Sequence, residues 1–424
     1  MHTVVVIGGG AAGMMAACAC ASNTSNKVVL IEKNEKLGKK VYITGKGRCN
    51  ISCDVDKNDF FNNVVSNPKF LFSAINAFPQ QSLIEFLANN GLETKKERGN
   101  RIFPASDKAS DVNKTFEKVL NKLGVDVRLN TIVKKIISDG QKIIGVITDA
   151  GQFECDSVVV CTGGVSYPLT GSTGDGYNFA KEFGHTIVKT APGLVGIDLK
   201  GSDFISLQGL SLKNVGLTAK LGQKIVYTDF GEMLFTHFGV SGPIVLSCSS
   251  KINRLNLDEI SISIDLKPAL SKDVLDKRLI REFTENHTKN ISTVMRSLLP
   301  SSLIGVILNK SSVLMHKNCS QITVQERKRI VDTLKELTFF VKKLRPIEEA
   351  IITAGGVSVK EINPKTMESK LISGLYFAGE VIDVDAFTGG FNLQIAFSTG
   401  YVAGKNCWLM ISNLVLILVI KFAM

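Results

Sequence analysis

The stretch that decides the fold is Val4-Val5-Val6-Ile7-Gly8-Gly9-Gly10-Ala11-Ala12-Gly13, followed by Val28-Val29-Leu30-Ile31-Glu32. Residues 3–7 form a short β-branched run ended by glycine, the signature of a buried parallel strand. Gly10 to Ala21 is rich in Ala and Met and reads as a helix, and Val28–Ile31 reads as a second buried strand. Strand, helix and strand up to Glu32 therefore form a βαβ unit. Gly8, Gly10 and Gly13 stand in G-x-G-x-x-G spacing between strand and helix, and Glu32 ends the second strand. Each position has a mechanical task in holding a dinucleotide. Gly8 allows the tight turn, Gly10 lets backbone approach a pyrophosphate, and Gly13 lets the helix lie close to the sheet. The helix N-terminus, with Ala11 and Ala12 in its first turn, offers free N–H groups to the phosphate. Glu32 can accept from a ribose diol and disfavours a 2′-phosphate. The fingerprint does not separate FAD from NAD.

Working outward, the chain has 424 residues, 44% apolar and 21% charged, which excludes a largely disordered protein and suggests two or three domains. No apolar run before the C-terminus is long enough for a polytopic membrane protein. The formal charge of +11 favours anionic partners, phosphate or RNA, although no segment is as basic as a nucleic-acid arm. The nine cysteines are scattered and odd in number, unlike a secreted disulfide framework. With an N-terminus too short and uncharged for a signal peptide, they suggest a cytoplasmic protein.

Residues 33–110 look loop-rich, with helices near Lys69–Phe78 and Gln80–Asn90. Strand-like alternation follows over Val125–Ile137, then a hairpin turns at Asp149-Ala150-Gly151, and Ser157–Cys161 is another buried strand. From about 191 alternation dominates: Leu210, Leu212, Leu217, Ala219 and Leu221 fall mostly on alternate positions, as do Ile260, Ile262 and Ile264, which predicts half-buried antiparallel strands in a barrel or sandwich. From about 267 to 344 the spacing turns helical, with Thr323 and Glu326 as a capping box. From 351 the first texture returns: Leu375–Ala378 reads as a buried strand, and a glycine-led helix opens near 390. The expected architecture is one dinucleotide-binding domain, 1–190 and 345–406, interrupted by a β-barrel-like domain, 191–266, and a helical subdomain, 267–344.

Gly38, Gly45 and Gly47, with Lys39, Lys40, Lys46 and Arg48, make a basic glycine loop that could wrap a pyrophosphate or flank a flavin. Its core, Thr44-Gly45-Lys46-Gly47-Arg48-Cys49-Asn50, resembles the signature loop of the BaiN/RdsA-like (YhiN-like) flavoproteins, NAD(P)/FAD-dependent oxidoreductases. Further matches are Cys161-Thr162-Gly163-Gly164, Gly171-Ser172-Thr173-Gly174-Asp175-Gly176, Phe235 to Pro243, Thr353-Ala354-Gly355-Gly356-Val357 and Gly374 to Gly404. The resemblance covers residues 1–406. It implies an α/β fold with a two-dinucleotide-type Rossmann FAD domain, an inserted β-barrel-like domain and a helical subdomain.

It also implies non-covalent FAD, held by Gly8, Gly10, Ala11, Ala12, Gly13, Glu32, Lys33, Gly47, Arg48, Cys49, Val133, Thr162, Gly163, Gly379, Glu380, Asp383, Gly390, Asn392 and Leu393. Within that set, Val133 would meet the adenine edge through its backbone. Either Glu380 or Asp383 would meet the ribityl and phosphate region. The helix after Gly390 would point its N-terminus at the flavin's N1/C2 side.

Cys49 and Cys53 are spaced C-x3-C, not the C-x4-C of flavin disulfide reductases, and Cys53 departs from the family pattern, so disulfide exchange is disfavoured. Cys49 and His237 are the candidate catalytic residues, each with a plain packing role as the alternative; no histidine stands in a metal spacing. With no second G-x-G-x-x-G, NAD(P)H could serve only as a transiently docked donor. The expected activity is hydride transfer from flavin N5 to an activated C=C bond, in an enone-type small molecule or in ribosomal RNA uracil to give dihydrouridine. The alternatives are an amine oxidase-like enzyme or a non-catalytic flavin-binding assembly factor. The apolar run Trp408–Ile420, in the extension 407–424, is short for a bilayer and would make at most a weak anchor.

Overall fold

A computed structural model describes residues 1–408 of the chain. They divide into two compact units, one comprising residues 1–191 with the chain from 347 on, the other residues 192–346.

In the first unit, strand β1 (His2–Ile7), helix α1 (Ala11–Ala21) and strand β2 (Asn26–Ile31) form the opening βαβ. Helix α2 (Ala109–Lys122) leads into β3 (Asp126–Arg128); β4 (Ser157–Val160), β5 (Leu375–Phe377) and helix α3 (Phe391–Asn406) complete the frame. The sheet runs β5-β4-β1-β2-β3, every pairing parallel. The inner strands carry unbroken apolar runs because helices cover both faces of such a sheet. All eleven residues of α1 are buried, as a helix hydrophobic all round must be. Its small side chains permit close contact with α3: a Cβ on Gly400 would lie 2.3 Å from the Ala12 carbonyl oxygen, and one on Gly404 2.2 Å from that of Ala16.

Helix α2 fills most of the stretch between the loop-rich segment and the alternating strands. Val112, Phe116, Val119 and Leu120 share one buried face at helical spacing, and Phe116 stacks on Phe397 of α3 with centroids 5.4 Å apart. The hairpin at 149–151 is present and joins Val133–Ser138 in a three-stranded antiparallel sheet.

In the second unit a six-stranded barrel closes on itself. Its order is Ile197–Leu199, Gly239–Ser241, Lys224–Phe235, Ser211–Leu221, Ile260–Asp265 and Leu337–Leu344, and the last strand pairs back to the first. The alternation of Leu217 and Ala219, of Ile260, Ile262 and Ile264, and of Leu337, Phe339 and Val341 puts those side chains inside. Placing 337–344 in the helical subdomain is therefore corrected: that stretch is the closing barrel strand. The helix opened by the Thr323–Glu326 capping box ends at Lys335, and Leu337 already alternates as strand. The helices, among them Lys272–Glu285 and Ser301–Lys310, form an excursion between two neighbouring barrel strands.

Candidate dinucleotide site

Three glycines of the opening loop occupy three different surroundings. Gly8 has φ +100°, and a Cβ there would lie 2.6 Å from the Cys161 carbonyl oxygen. A Cβ on Gly13 would lie 1.8 Å from the Gly8 carbonyl oxygen, so helix and strand meet only because both positions lack one. At Gly10 the same test meets nothing within 4 Å. Gly10 also caps α1 without a side-chain hydrogen bond, and the first turn holds no acidic residue. An uncapped helix N-terminus with open backbone before it suits a phosphate. Ala11 and Ala12 are buried, and Ala12 packs against Gly379 as well as Gly400.

Glu32 is buried and braces this loop. Its carboxylate accepts from Gly9 N–H at 2.7 Å and from Asn34 N–H at 2.8 Å and Nδ2 at 2.7 Å. Lys33 turns to Thr173 Oγ1 and to Asp175 at 2.7 Å, which ties the Gly171–Gly176 loop to the end of β2. Val133 begins its strand just past Thr131, whose N–H donates to the Glu32 carbonyl at 3.1 Å. Thr162 Oγ1 is buried without a hydrogen-bond partner, and Gly163 beside it takes φ +72°.

A second uncapped helix start stands at α3. Gly390 has φ +98°, and a Cβ there would lie 2.2 Å from the Ser52 carbonyl oxygen. The Asn392 side chain closes the preceding turn, accepting from Ala386 N–H at 2.9 Å and donating to its carbonyl at 2.8 Å. What Asn392 and Leu393 can offer a ligand is thus the start of a helix backbone. Asp383 accepts from Asn67 Nδ2 at 3.0 Å.

Glu380 belongs to a cluster that sequence did not assemble. Its carboxylate accepts from Lys40 Nζ at 2.8 Å, Ser166 Oγ at 2.9 Å and Thr353 N–H at 2.8 Å. Burial pushes its pKa up, but the Lys40 charge and these hydrogen bonds outweigh that and hold it below the usual carboxylate range. Lys40 was legible only as one charge in a basic loop, since Ser166 and Glu380 lie far along the chain from it. Arg48 behaves differently: its guanidinium is bound by Glu97 and Asp107 and lies 4.2 Å from the Phe103 ring centroid. It fixes the loop's shape through side chains on the Thr94–Glu97 strand and the turn at Asp107. Gly47 has open space where a Cβ would be.

Cys49 is fully buried with φ +61°, and burial raises its thiol to about 12. Cys53 is raised to about 12 for the same reason, so both are protonated at neutral pH. All nine cysteines are free and buried. In the second unit, His237 is exposed in the tight turn where Thr236 N–H donates to the Gly239 carbonyl, its ring edge-on to Phe238 at 5.1 Å. No group of three or more metal-ligating side chains occurs among the described residues.

The open backbone at Gly10 and the two uncapped helix starts fit a dinucleotide with a negatively charged middle. Fold and site define a dinucleotide-binding protein of the Rossmann type.

The chain belongs to the HI0933-like family, whose Rossmann-domain description matches residues 2–406. It is 29% identical to a 3-dehydro-bile acid delta(4,6)-reductase of Clostridium scindens over 91% of this chain and 93% of that protein. It is equally 29% identical to a ribosomal RNA dihydrouridine synthase of Haemophilus influenzae, over 89% of this chain and 92% of the relative. Among solved structures, a 3-ketosteroid-delta4-(5alpha)-dehydrogenase from Rhodococcus jostii shares the fold, with TM-score 0.53 at 13% identity over 96% of this chain and 97% of that one. No helix of the described residues is long and apolar enough to cross a membrane. The suggested weak anchor lies almost wholly in 409–424, outside the described residues.

Proposed function

We propose that the protein reduces the C5=C6 bond of a uracil in ribosomal RNA to dihydrouridine. The observation that carries this reading is the placement of charge. Residues 192–346 hold 22 Lys and Arg against 14 Asp and Glu, a balance of +8, which leaves +3 for the rest of the chain. The unit that does not carry the dinucleotide fingerprint is the one charged to meet a polyanion. The dihydrouridine synthase relative, matched along nearly its whole length, supports the same substrate.

Bound FAD would supply the hydride to the polarised double bond. Gly8, Gly10 and Gly13 with the α1 N-terminus would hold its pyrophosphate, and Glu32 its adenosine ribose by keeping the loop in place. The α3 N-terminus after Gly390 would stabilise negative charge on the ring system. Lys40 and Ser166 keep Glu380 ionised and fixed beside Gly379. NAD(P)H would dock transiently as reductant.

For the proton donated to the substrate carbon, Cys49 is a weak candidate. A fully buried thiol raised to about 12 is a poor and inaccessible acid. Such an enzyme would work in the cytoplasm, where ribosomes are.

The bile acid reductase relative favours a second reading, an enone-type small molecule as acceptor. Mass spectrometry of ribosomal RNA from a deletion strain separates the two. Loss of one dihydrouridine, restored by the wild-type chain and not by the Gly13→Val variant, is expected; an unchanged modification profile would leave the small-molecule reading in place.

A further inference from the structure

Four phenylalanine rings run from the start of α3 to the surface of the dinucleotide unit. Phe391, the first residue of α3, meets Phe60 with centroids 5.5 Å apart, Phe60 meets Phe61 at 5.7 Å, and Phe61 meets Phe72 edge to face at 4.4 Å. Burial falls along the row: Phe60 is fully buried, Phe61 half-buried, and Phe72 is 45% exposed. Phe70 and Leu71, just before Phe72, are buried, so the segment already has its anchors in the core. A lone exposed apolar side chain is ordinary. An exposed ring held against a second, half-buried one is a surface that packing alone does not require.

The segment that carries the outer pair is fastened to the loop leading into α3. Val64–Ser66 pairs antiparallel with Asp385–Ala386, the Phe387 N–H donates to the Asn63 carbonyl at 2.9 Å, and Asn67 Nδ2 donates to the Asp383 carbonyl at 2.7 Å. The rings therefore keep a fixed place beside the α3 N-terminus. Charge lies on the same surface. Lys57 stands one turn before Phe61 in the helix Lys57–Asn62, and Lys69 one turn before Phe72, with the exposed Asn76 one turn after it. Both lysines are exposed, and neither has a carboxylate partner among the described residues. The neighbouring acids are engaged or turned away. Asp54 pairs with Lys96 at 2.8 Å, and the Asp56 side chain accepts from the Asp59 N–H at 2.9 Å. Asp59, two residues from both Lys57 and Phe61, falls on the far side of their helix.

An exposed ring gives an unpaired base a face to stack on, and a flanking ammonium meets the phosphate beside that base. Enzymes that work on a base take it out of its stack and hold the nucleotides on either side. We infer that Phe72, backed by Phe61 and flanked by Lys57 and Lys69, is a shelf on which a nucleotide flanking the reacting uracil stacks. The inference rests on the RNA reading above and adds to it where, and by what chemistry, the neighbouring nucleotide is held.

The test uses the FAD-loaded full chain and a fluorescein-labelled 12-nucleotide oligouridylate, read by anisotropy across a salt series. Phe72→Leu, which keeps apolar bulk without a ring, is expected to weaken binding about tenfold, and Phe72→Trp to retain it. Bound flavin and melting temperature should be unchanged in both. Lys57→Ala/Lys69→Ala is expected to lower the slope of log affinity against log salt by about two. Undiminished binding by Phe72→Leu overturns the shelf, as does a wild-type chain that fails to bind the oligomer at low salt. Intact RNA affinity in Phe72→Leu with a raised KM for NAD(P)H overturns it in favour of the reductant. Intact RNA affinity with conversion of a dimer to a monomer overturns it in favour of a second copy of the chain. Dihydrouridine in ribosomal RNA is measured in parallel, in a deletion strain carrying the wild-type chain or Phe72→Leu. Modification that depends on the chain while Phe72→Leu binds as wild type does removes the shelf alone. Weakened binding by Phe72→Leu, with no dihydrouridine lost on deletion, removes the catalytic reading alone.

Discussion

The two units solve the problem of close packing in opposite ways. In the dinucleotide unit, α1 meets the sheet and α3 through missing side chains: Gly13 against Gly8, Gly400 against Ala12 and Gly404 against Ala16. In the barrel unit, bulk fills the interior, with Phe235 and Phe339 edge to face at 5.9 Å among branched aliphatics. The first strategy fixes backbone positions tightly enough to hold a ligand by main-chain groups, and the second leaves the outer face free to vary. Adding atoms should therefore damage the first unit, and removing them the second.

The largest effect is expected from Gly13→Val. With even a Cβ brought to 1.8 Å from the Gly8 oxygen, α1 must shift, which costs at least about 3 kcal/mol and should leave the purified protein without flavin. Thermal unfolding and visible absorbance check both. In the barrel, Phe235→Ala should cost about 3–4 kcal/mol through the cavity it leaves, measured by denaturant unfolding, while bound flavin is retained under native conditions. Flavin lost from that variant would break the contrast between the units. Next is Lys40→Met, which strands the Glu380 carboxylate. A cost of about 2–3 kcal/mol is expected, below that of a fully buried pair because both side chains keep some exposure. The added Glu380→Gln change should recover part of it.

The smallest effect concerns pH. His185 is buried against Phe377, with Nε2 2.8 Å from Ser369 Oγ; burial lowers its pKa below 6.5, and the nearby Glu361 only partly opposes this. The unfolded chain then binds this proton more readily, so stability falls as pH drops below about 6.5. In His185→Gln that part of the acid dependence should vanish, seen as a flatter melting temperature between pH 7 and 5.

How much was legible follows the same division. Gly8, Gly10, Gly13 and Glu32 are local in sequence, and each glycine's task is set by strand and helix on either side, so their reading needed no distant partner. The barrel strands at 211–221 and 260–265 announced themselves by alternation. Leu337–Leu344 did not, because a long stretch of helical texture separates it from the strand it pairs with, and its pattern begins directly behind a helix. Helix α2 is marked in the sequence by the helical period of Val112, Phe116 and Val119 alone, in a stretch otherwise rich in polar residues. Lys40 and Arg48 looked alike in a basic loop. Only tertiary structure distinguishes the lysine that reaches Glu380 from the arginine that turns to Glu97 and Asp107.

Everything in the dinucleotide unit depends on the opening loop gripping the adenosine diphosphate half of a flavin. The most direct check is to strip the purified chain of bound cofactor, titrate it with FAD and with FMN, and follow the visible absorbance of the retained flavin. Stoichiometric uptake of FAD, weak uptake of FMN and loss of FAD uptake in Gly13→Val are the expected results. A folded wild-type chain that retains neither flavin, or holds FMN as tightly as FAD, would contradict that assignment.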